Sequence, residues 1–368
     1  MELTKEQELI LEFAKYDDGD KKRIEELIVD KLDWCYVLGY LAYNRLSGMA
    51  YKMICSCNTP RWKINREFML SLYMSYEAQK IRCDMQNKLV KELSDELEKT
   101  KLKYAFLKGT ITSSMLYEEG ERSSSDIDIL INAEDITQLG RTLKSLGYVQ
   151  GWYNVGEDRI IEASRDNVIK NRLLYGEIVP YVKKIDIPGY NVVKVDVNFS
   201  LDWRSKNIDK VVKQFLDNTI LYKSVSNGLV RTLKNEYFLL HLLCHFYKEA
   251  YLYEVVEKQR DLCLYKAVDI YLFIRKKSSE INWYFMKEIV EIYELEKAVY
   301  YSLNILIEIY PILKNDNYLV CFMAEMVCEN DNYCKEVFNV KDQKLYYWEK
   351  DVLERFFDMY RATELCEK

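Results

Sequence analysis

Two aspartates one residue apart, Asp126 and Asp128, are the side chains in this sequence with the clearest capacity for chemistry. On an extended strand, residues i and i+2 point to the same face, so both carboxylates project together. Two carboxyl groups this close both ionise without a large electrostatic penalty only beside a counter-cation. Mg²⁺ is a hard ion that prefers oxygen ligands, and it fits that requirement. The spacing therefore predicts a divalent-cation site.

A glycine turn, Lys108-Gly109-Thr110, precedes the aspartates in the chain. It follows an apolar run and opens a segment with helical spacing, and free backbone amides in that setting bind phosphate. Gly109 and Thr110 are expected to contact phosphate through their amides and the threonine hydroxyl, while Lys108 is either a phosphate contact or a structural anchor. A cation beside a phosphate cradle indicates phosphoryl or nucleotidyl transfer.

The elements that position these residues are predicted from hydrophobic spacing. The glycine turn lies between a strand at residues 104–107 and a helix at 110–117, and the two aspartates open a second strand at 126–132. Residues 177–183 and 192–199 alternate and flank Pro188-Gly189, which predicts adjacent antiparallel strands. Further along the chain, segments with other spacings are assigned as follows: helix at 133–146, strand near 148–153, and either helix or strand at 160–172.

Helical spacing dominates on both sides of this region. On a long helix at residues 64–99, every fourth residue is apolar from Ile81 to Leu97, which predicts a buried stripe. After residue 201, helical spacing covers residues 235–253, 255–275, 283–310 and 344–365. The 12 glycines and 4 prolines are few for 368 residues. The predicted fold class is α+β: a small mixed sheet at 101–205 between helical regions at 1–100 and 206–368.

Composition excludes several classes of protein. The chain has 53 basic and 59 acidic side chains and a net charge of −6, which argues against binding long DNA by bulk electrostatics. It contains no apolar run of the roughly 18 residues that a membrane helix needs. The ten cysteines have no metal-finger spacing, and the charged start of the chain does not resemble a signal peptide. These features predict a cytoplasmic protein with reduced thiols.

In combination, the motif residues resemble the DNA polymerase β-type nucleotidyltransferase superfamily, and more narrowly a family of uncharacterised bacterial nucleotidyltransferases. The family pattern is Leu-Lys-Gly, about one helix, Tyr, then Arg-x-x-x-Asp-x-Asp-x-Leu, and here it is carried by Leu107, Lys108, Gly109, Tyr117, Arg122, Asp126, Asp128 and Leu130. A long helix leading directly into the Leu-Lys-Gly strand is also similar to that family. Thr110 departs from the serine that is usual in the wider superfamily.

The resemblance implies two Mg²⁺ ions held by three carboxylates. Asp126 and Asp128 would supply two of them. The third is assigned to Asp196, which stands among alternating valines so that its side chain faces away from the core. It would be a metal ligand and a possible base for the acceptor hydroxyl. Asp186 is the rival candidate, and Asn198 stands where the family has histidine.

The resemblance also suggests side chains that bind the nucleotide. Arg122 would neutralise triphosphate charge and Ser125 would donate to phosphate, although an ordinary surface arginine and a plain loop explain them equally well. His245 and Lys248 match family positions that line the nucleotide or acceptor pocket. His241 and His245 are one helical turn apart, but no third zinc ligand accompanies them. A core role for these histidines therefore stays open.

The predicted function is Mg²⁺-dependent transfer of a nucleoside monophosphate from a nucleoside triphosphate, such as ATP, with release of pyrophosphate. The acceptor is an unknown small molecule, protein side chain or RNA end. One alternative is a catalytically inactive nucleotide-binding or scaffold protein. Another is a toxin-type nucleotidyltransferase that modifies tRNA or protein.

Overall fold

The computed structural model describes residues 2–122, 124–175, 178–187, 190–201, 208–224, 228–326 and 334–367, without the side chains of 173–175 and 208–209. Pro188-Gly189, expected between two strands, and Ser123 of the serine run lie outside the described residues. The chain divides into two compact units. Ala78–Phe238 forms a sheet unit, and Met1–Glu77 with Leu239–Lys368 forms a helical unit.

The sheet unit contains an eight-stranded mixed sheet in the order β4-β3-β5-β6-β2-β1-β8-β7. Its strands are β1 Tyr104–Leu107, β2 Asp126–Ile131, β3 Val149–Asn154, β4 Arg159–Glu162, β5 Tyr181–Lys184, β6 Val192–Asn198, β7 Thr219–Ser224 and β8 Gly228–Leu233. The pairs β2–β6 and β1–β8 are parallel, and the other neighbours are antiparallel. The predicted α+β class, with a mixed sheet and flanking helices, is confirmed.

Strand β6 shows why this sequence forms a sheet with one chemically active face. Val193, Val195 and Val197 are buried, and the residues between them are only partly buried. The period of two matches the alternation of side chains along a strand, and β-branched valines pack well on a pleated surface. The polar positions of β6 therefore lie together on one face.

Four short helices and part of a long one accompany the sheet. They are α6 Gly109–Leu116, α7 Ile136–Ser145, α8 Arg165–Tyr175, α9 Ile208–Asp217 and the later residues of α5 Arg66–Glu98. The stripe predicted on α5 is wrong at Ile81, which is 57% exposed, although Leu93 and Leu97 are fully buried. The buried face instead includes two glutamines, Gln79 and Gln86, whose partners are described below.

The helical unit contains the remaining helices and a small three-stranded sheet in the order β11-β10-β9. Its whole helices are α1 Lys5–Ala14, α2 Lys21–Leu27, α3 Trp34–Tyr43, α4 Ser47–Cys55, α11 Tyr253–Glu257, α12 Leu264–Lys277, α13 Trp283–Ile292, α14 Glu296–Ile309, α15 Asn317–Glu325 and α16 Val352–Phe356, and it also holds most of α10 Asn235–Tyr251. The strands are β9 Glu336–Asn339, β10 Lys344–Tyr347 and β11 Cys366–Glu367. No helix in the described ranges is long and apolar enough to span a membrane.

Two parts of the predicted element map are wrong. Residues 344–365 were expected to be helical, but they begin with β10, and their helical residues form the short helix α16 and a 3₁₀ helix at Arg361–Glu364. A tight turn causes the difference: Gln343 adopts φ 60°, and the Asp342 carboxylate accepts from the backbone amide of Lys344. Strands β7 and β8 were also not anticipated, and they extend the sheet past residue 205. The domain boundaries near residues 100 and 205 stay predictions.

A buried ion pair links distant parts of the helical unit. Arg361 is fully buried, and its Nη2 lies 2.6 Å from Oδ1 of Asp261, which is 1% exposed. The guanidinium also donates to the Tyr43 hydroxyl and to the Asp358 carbonyl, both at 3.1 Å. Burial disfavours the charged guanidinium, but the hydrogen bonds to Asp261 outweigh it and raise the pKa of Arg361. The guanidinium of Arg361 therefore stays charged inside the unit.

Candidate functional site

The three predicted carboxylates lie on two neighbouring strands. In the parallel pair β2–β6, Asp128 is directly opposite Asp196, and Asp126 is opposite Lys194. Neighbouring strands are about 5 Å apart, so side chains at paired positions on one face are within reach of each other. The rival, Asp186, lies after the end of β5 and is exposed. The register therefore brings Asp196, and not Asp186, beside the two motif aspartates.

Two lysine ammonium groups bind these carboxylates. Lys194 Nζ lies 2.7 Å from Asp196 Oδ2 and 3.9 Å from Asp126 Oδ1, and Lys108 Nζ lies 2.8 Å from Asp128 Oδ1. In the part of the chain that the structure describes, no three acidic, histidine or cysteine side chains surround a common point that would hold a metal. The donors themselves are the hard oxygens that Mg²⁺ prefers. A cation there would have to compete with the lysines.

Asp128 has further contacts that fix its position. It is 8% exposed, and Oδ1 accepts from Asn198 Nδ2 at 3.2 Å. Its backbone amide donates to the Thr110 hydroxyl oxygen at 3.4 Å. The threonine of the glycine turn therefore joins α6 to the strand that carries the aspartates, and Asn198 holds the carboxylate where the resembled family has histidine.

The glycine turn is a strained junction between β1 and α6. Lys108 adopts φ 45° and ψ −131°, a left-handed conformation that costs a residue other than glycine about 1–3 kcal/mol. At Gly109, an added Cβ would lie 2.5 Å from Ser124 Oγ, so only glycine allows the loop this close. The strain places the Lys108 side chain on Asp128, and the close approach covers Gly109 with Ser124.

Two glutamines of α5 hold the loop that leads into β2. Gln79 Nε2 donates to the Arg122 carbonyl at 3.0 Å, and Gln86 Nε2 donates to the Asp126 carbonyl at 2.8 Å. Arg122 is 5% exposed, so it is not an ordinary surface arginine. Ser125 Oγ donates to Asp126 Oδ2 at 2.9 Å. These bonds orient Asp126, and the serine assigned to phosphate lies against that carboxylate.

An arginine and a tyrosine support the same loop from the side. The Arg82 guanidinium carbon lies 4.0 Å from the centre of the Tyr190 ring, within the range of a cation–π contact. The Tyr190 hydroxyl donates to the Ser125 carbonyl at 3.3 Å. Sequence reasoning missed both residues together with Lys194, Gln79, Gln86 and Ser124. For the glutamines a signal existed, since they interrupt an apolar helix face at a spacing of two turns.

His245 and Lys248 belong to the helical unit, on α10. His245 Nε2 lies 3.4 Å from Glu249 Oε2, and Glu249 also forms an ion pair with the buried Lys266. The His241 ring stacks near His245 with 6.3 Å between centroids. The structure therefore shows packing and ion-pair contacts around His245, and a role for His245 and Lys248 in a nucleotide pocket stays a prediction.

Burial raises the pKa of Asp196 to about 6. Lys194 lowers it, and the neighbouring charges of Asp128 and Asp126 raise it. Burial alone would lower the pKa of Lys194, but attraction to Asp196 and Asp126 raises it instead. The raised pKa of Lys194 therefore keeps its ammonium protonated, and the raised pKa of Asp196 lets this carboxyl take up a proton at a higher pH than an ordinary aspartate does.

This shift predicts a pH dependence of stability in the metal-free protein. The pKa of Asp196 in the folded state lies above the ordinary value of about 4, so the folded state binds the proton more tightly than the unfolded state. The contribution of the protonated Asp196 carboxyl to the free energy of unfolding is fully present below pH ~4 and is lost as the pH rises through 6. Relative to Asp196→Asn, the wild type should lose roughly 1 kcal/mol of unfolding free energy per pH unit in that window.

Urea denaturation between pH 4 and 7 without added metal measures this difference. Asp186→Asn is the control, because Asp186 is exposed and should leave the pH profile of the wild type unchanged. Parallel profiles for the wild type and Asp196→Asn would contradict the assignment of a raised pKa to this carboxyl.

A class of protein now follows from the fold and the site: an α+β protein with an Asp-x-Asp strand, a third aspartate on the adjacent parallel strand and a glycine turn before a helix. A family model described as an uncharacterised nucleotidyltransferase matches residues 30–311. This chain therefore belongs to that nucleotidyltransferase family. The wider superfamily and the bacterial character of the family stay predictions.

Comparison with other known proteins adds little. No curated protein matches the chain. A solved structure, described as an antigenic nucleotidyltransferase-like protein from Paracoccidioides brasiliensis, is similar with 17% identity over 62% of this chain and 90% of that chain. The TM-score between the two structures is 0.37.

Proposed function

We propose that this protein transfers a nucleoside monophosphate from a nucleoside triphosphate to an acceptor, with Mg²⁺ as cofactor and release of pyrophosphate. Family membership supports the general reaction class. The observation that carries the finer proposal is the β2–β6 register, which sets Asp196 opposite Asp128 with Asp126 two residues away on the same strand. Three carboxylates from two strands match the ligand set that the family resemblance implies for the metal ions of such a transfer.

Asp126, Asp128 and Asp196 would hold the cation. When bound, Mg²⁺ stabilises the negative charge that develops on the transferring phosphoryl group and on the leaving pyrophosphate. Asp196 would also serve as the base that accepts the proton of the acceptor hydroxyl on a carboxylate oxygen. The three aspartates thus serve both as ligands and as the source of a base.

The glycine turn and the loop before β2 would hold the triphosphate. The backbone amides of Gly109 and Thr110 open α6, and the positive end of a helix favours phosphate, so a phosphate would bind there once Ser124 moves away from Gly109. Lys108 and Arg122 bring positive charge to the same turn, since an Arg122 nitrogen lies 3.9 Å from the position of a Cβ on Gly109. Ser125 would donate once its hydroxyl turns from Asp126. These groups would orient the α-phosphate toward the acceptor.

A second candidate is a nucleotide-binding protein that does not turn over. The observation that favours it is the ammonium group beside each aspartate, at 2.8 Å from Asp128, 2.7 Å from Asp196 and 3.9 Å from Asp126, with which a cation would have to compete. The toxin-type alternative differs from the other candidates in its acceptor, which would be tRNA or protein. Experiments with labelled substrate distinguish these functions.

The test incubates the protein with each of the four ribonucleoside triphosphates, labelled at the α-phosphate, and Mg²⁺. Separate reactions contain total tRNA, a protein extract or a mixture of small hydroxyl compounds. Transfer of label with release of pyrophosphate supports the proposal, and the reaction that becomes labelled identifies the acceptor class. Triphosphate binding without pyrophosphate release in every reaction would favour the non-catalytic candidate.

A further inference from the structure

We propose that Lys194 is a built-in counter-ion that occupies a cation position between Asp126 and Asp196 and must leave it before a divalent ion binds there. The inference rests on the proposed function, because it concerns the same three carboxylates. It goes further by assigning a regulatory part to a residue outside the motif: in the absence of nucleotide, Lys194 lowers the affinity of the protein for free metal.

The strand geometry puts Lys194 in this position. It lies two residues before Asp196 on β6, so both side chains share a face, and it is directly opposite Asp126 on β2. The ammonium therefore bridges the two strands, with its closest contact at 2.7 Å to Asp196 and a longer one at 3.9 Å to Asp126. A bridging position between two carboxylates is where a divalent ion would gain most.

The charges of the cluster make the competition strong. Lys108 and Lys194 oppose three carboxylates, so the cluster carries one formal negative charge when all five groups are ionised. A divalent ion that entered beside both ammonium groups would meet repulsion within about 4 Å, where like charges interact strongly in a partly buried site. Binding is favourable only if one ammonium withdraws.

Lys194 is better able to withdraw than Lys108. Its side chain is 37% exposed, whereas that of Lys108 is 18% exposed and is set by a strained backbone. A flexible four-carbon stem lets the Lys194 ammonium move to solvent or to the phosphate of an incoming nucleotide. Metal should therefore bind weakly alone and more tightly together with a triphosphate.

Isothermal titration calorimetry with Mn²⁺ or Mg²⁺ alone, without nucleotide, tests the inference. Lys194→Met removes the charge and keeps the length of the side chain, and it should bind Mn²⁺ at least about tenfold more tightly than the wild type. Lys194→Gln is a second neutral variant in case methionine disturbs the fold, which circular dichroism would report. Lys184→Met is the matched control: Lys184 lies on the adjacent strand β5 and pairs with Asp158, away from the aspartates.

The outcomes separate this inference from the proposed function. Tighter binding of Mn²⁺ by both Lys194 variants, with no change for Lys184→Met, supports the inference. Binding of Mn²⁺ by both Lys194 variants when the wild type binds none supports it as well. If the wild type binds Mn²⁺ and the Lys194 variants bind equally or more weakly, the counter-ion role is overturned while the metal site stands. If neither the wild type nor any variant binds Mn²⁺, the inference is overturned together with the metal site.

Discussion

Asp126→Asn should reduce nucleotidyl transfer by at least about 10²-fold and leave the fold intact. Asn keeps the size of the side chain and can still accept from Ser125, so the bond from Gln86 to the backbone of residue 126 should also persist. What is lost is the negative charge that a cation requires. Charge stabilisation by a bound metal contributes several kcal/mol, so the rate should fall by about 10²–10³-fold or more.

Initial rates of pyrophosphate release measure this effect. Asp128→Asn should give a similar loss, although it also weakens the contacts with Lys108 and Asn198. Asp186→Asn is the matched control, since this aspartate is exposed and lies outside β6, and it should retain the wild-type rate. Unchanged turnover in Asp126→Asn, with an intact circular dichroism spectrum, would remove this carboxylate from the mechanism.

The local part of the site was predictable because it follows from strand periodicity. The alternation of valines with polar residues determines which face Asp196 occupies before any neighbour is known. The strand-to-helix junction at Gly109 was also predictable, from the change of spacing around the glycine, but the close approach of another part of the chain was not. The structure identifies that part as Ser124.

The pairing between distant strands was not predictable in the same way. That Lys194 lies opposite Asp126 depends on the parallel register of β2 and β6, which the sequence pattern of either strand alone leaves open. Lys194 therefore read as one more polar residue on β6, although it changes the electrostatics of the whole cluster. Polar contacts made through tertiary structure carry little signal in sequence periodicity.

The prediction of a helix at residues 344–365 from helical spacing was wrong for a different physical reason. Leu345 and Tyr347 suit a short strand as well as a helix, and the turn before them decides between the two. That turn needs Gln343 in a left-handed conformation. A glycine in the sequence would indicate such a conformation, but a glutamine does not. The pairing of β10 with β9 then fixes the strand.

Asp261→Asn should cause the largest loss of stability of any single change considered, about 3–5 kcal/mol of unfolding free energy. Asn at this position removes the charge that balances Arg361, which is fully buried and cannot reach water. The bonds of Arg361 to the Tyr43 hydroxyl and to the backbone carbonyl of Asp358 remain, but neither of these groups carries a charge that balances the guanidinium. An uncompensated buried charge is far more costly than the loss of an exposed ion pair.

Urea denaturation followed by circular dichroism gives the comparison. The control is Asp158→Asn, which breaks the exposed pair with Lys184 and should leave the transition almost unmoved. The double variant Asp261→Leu with Arg361→Met removes both charges and should recover much of the loss, because burying two apolar side chains avoids the desolvation cost of the pair. If the double variant is as unstable as Asp261→Asn, the loss comes from the shape of the site and not from the unbalanced guanidinium. If Asp261→Asn is as stable as the wild type, Arg361 does not depend on this carboxylate.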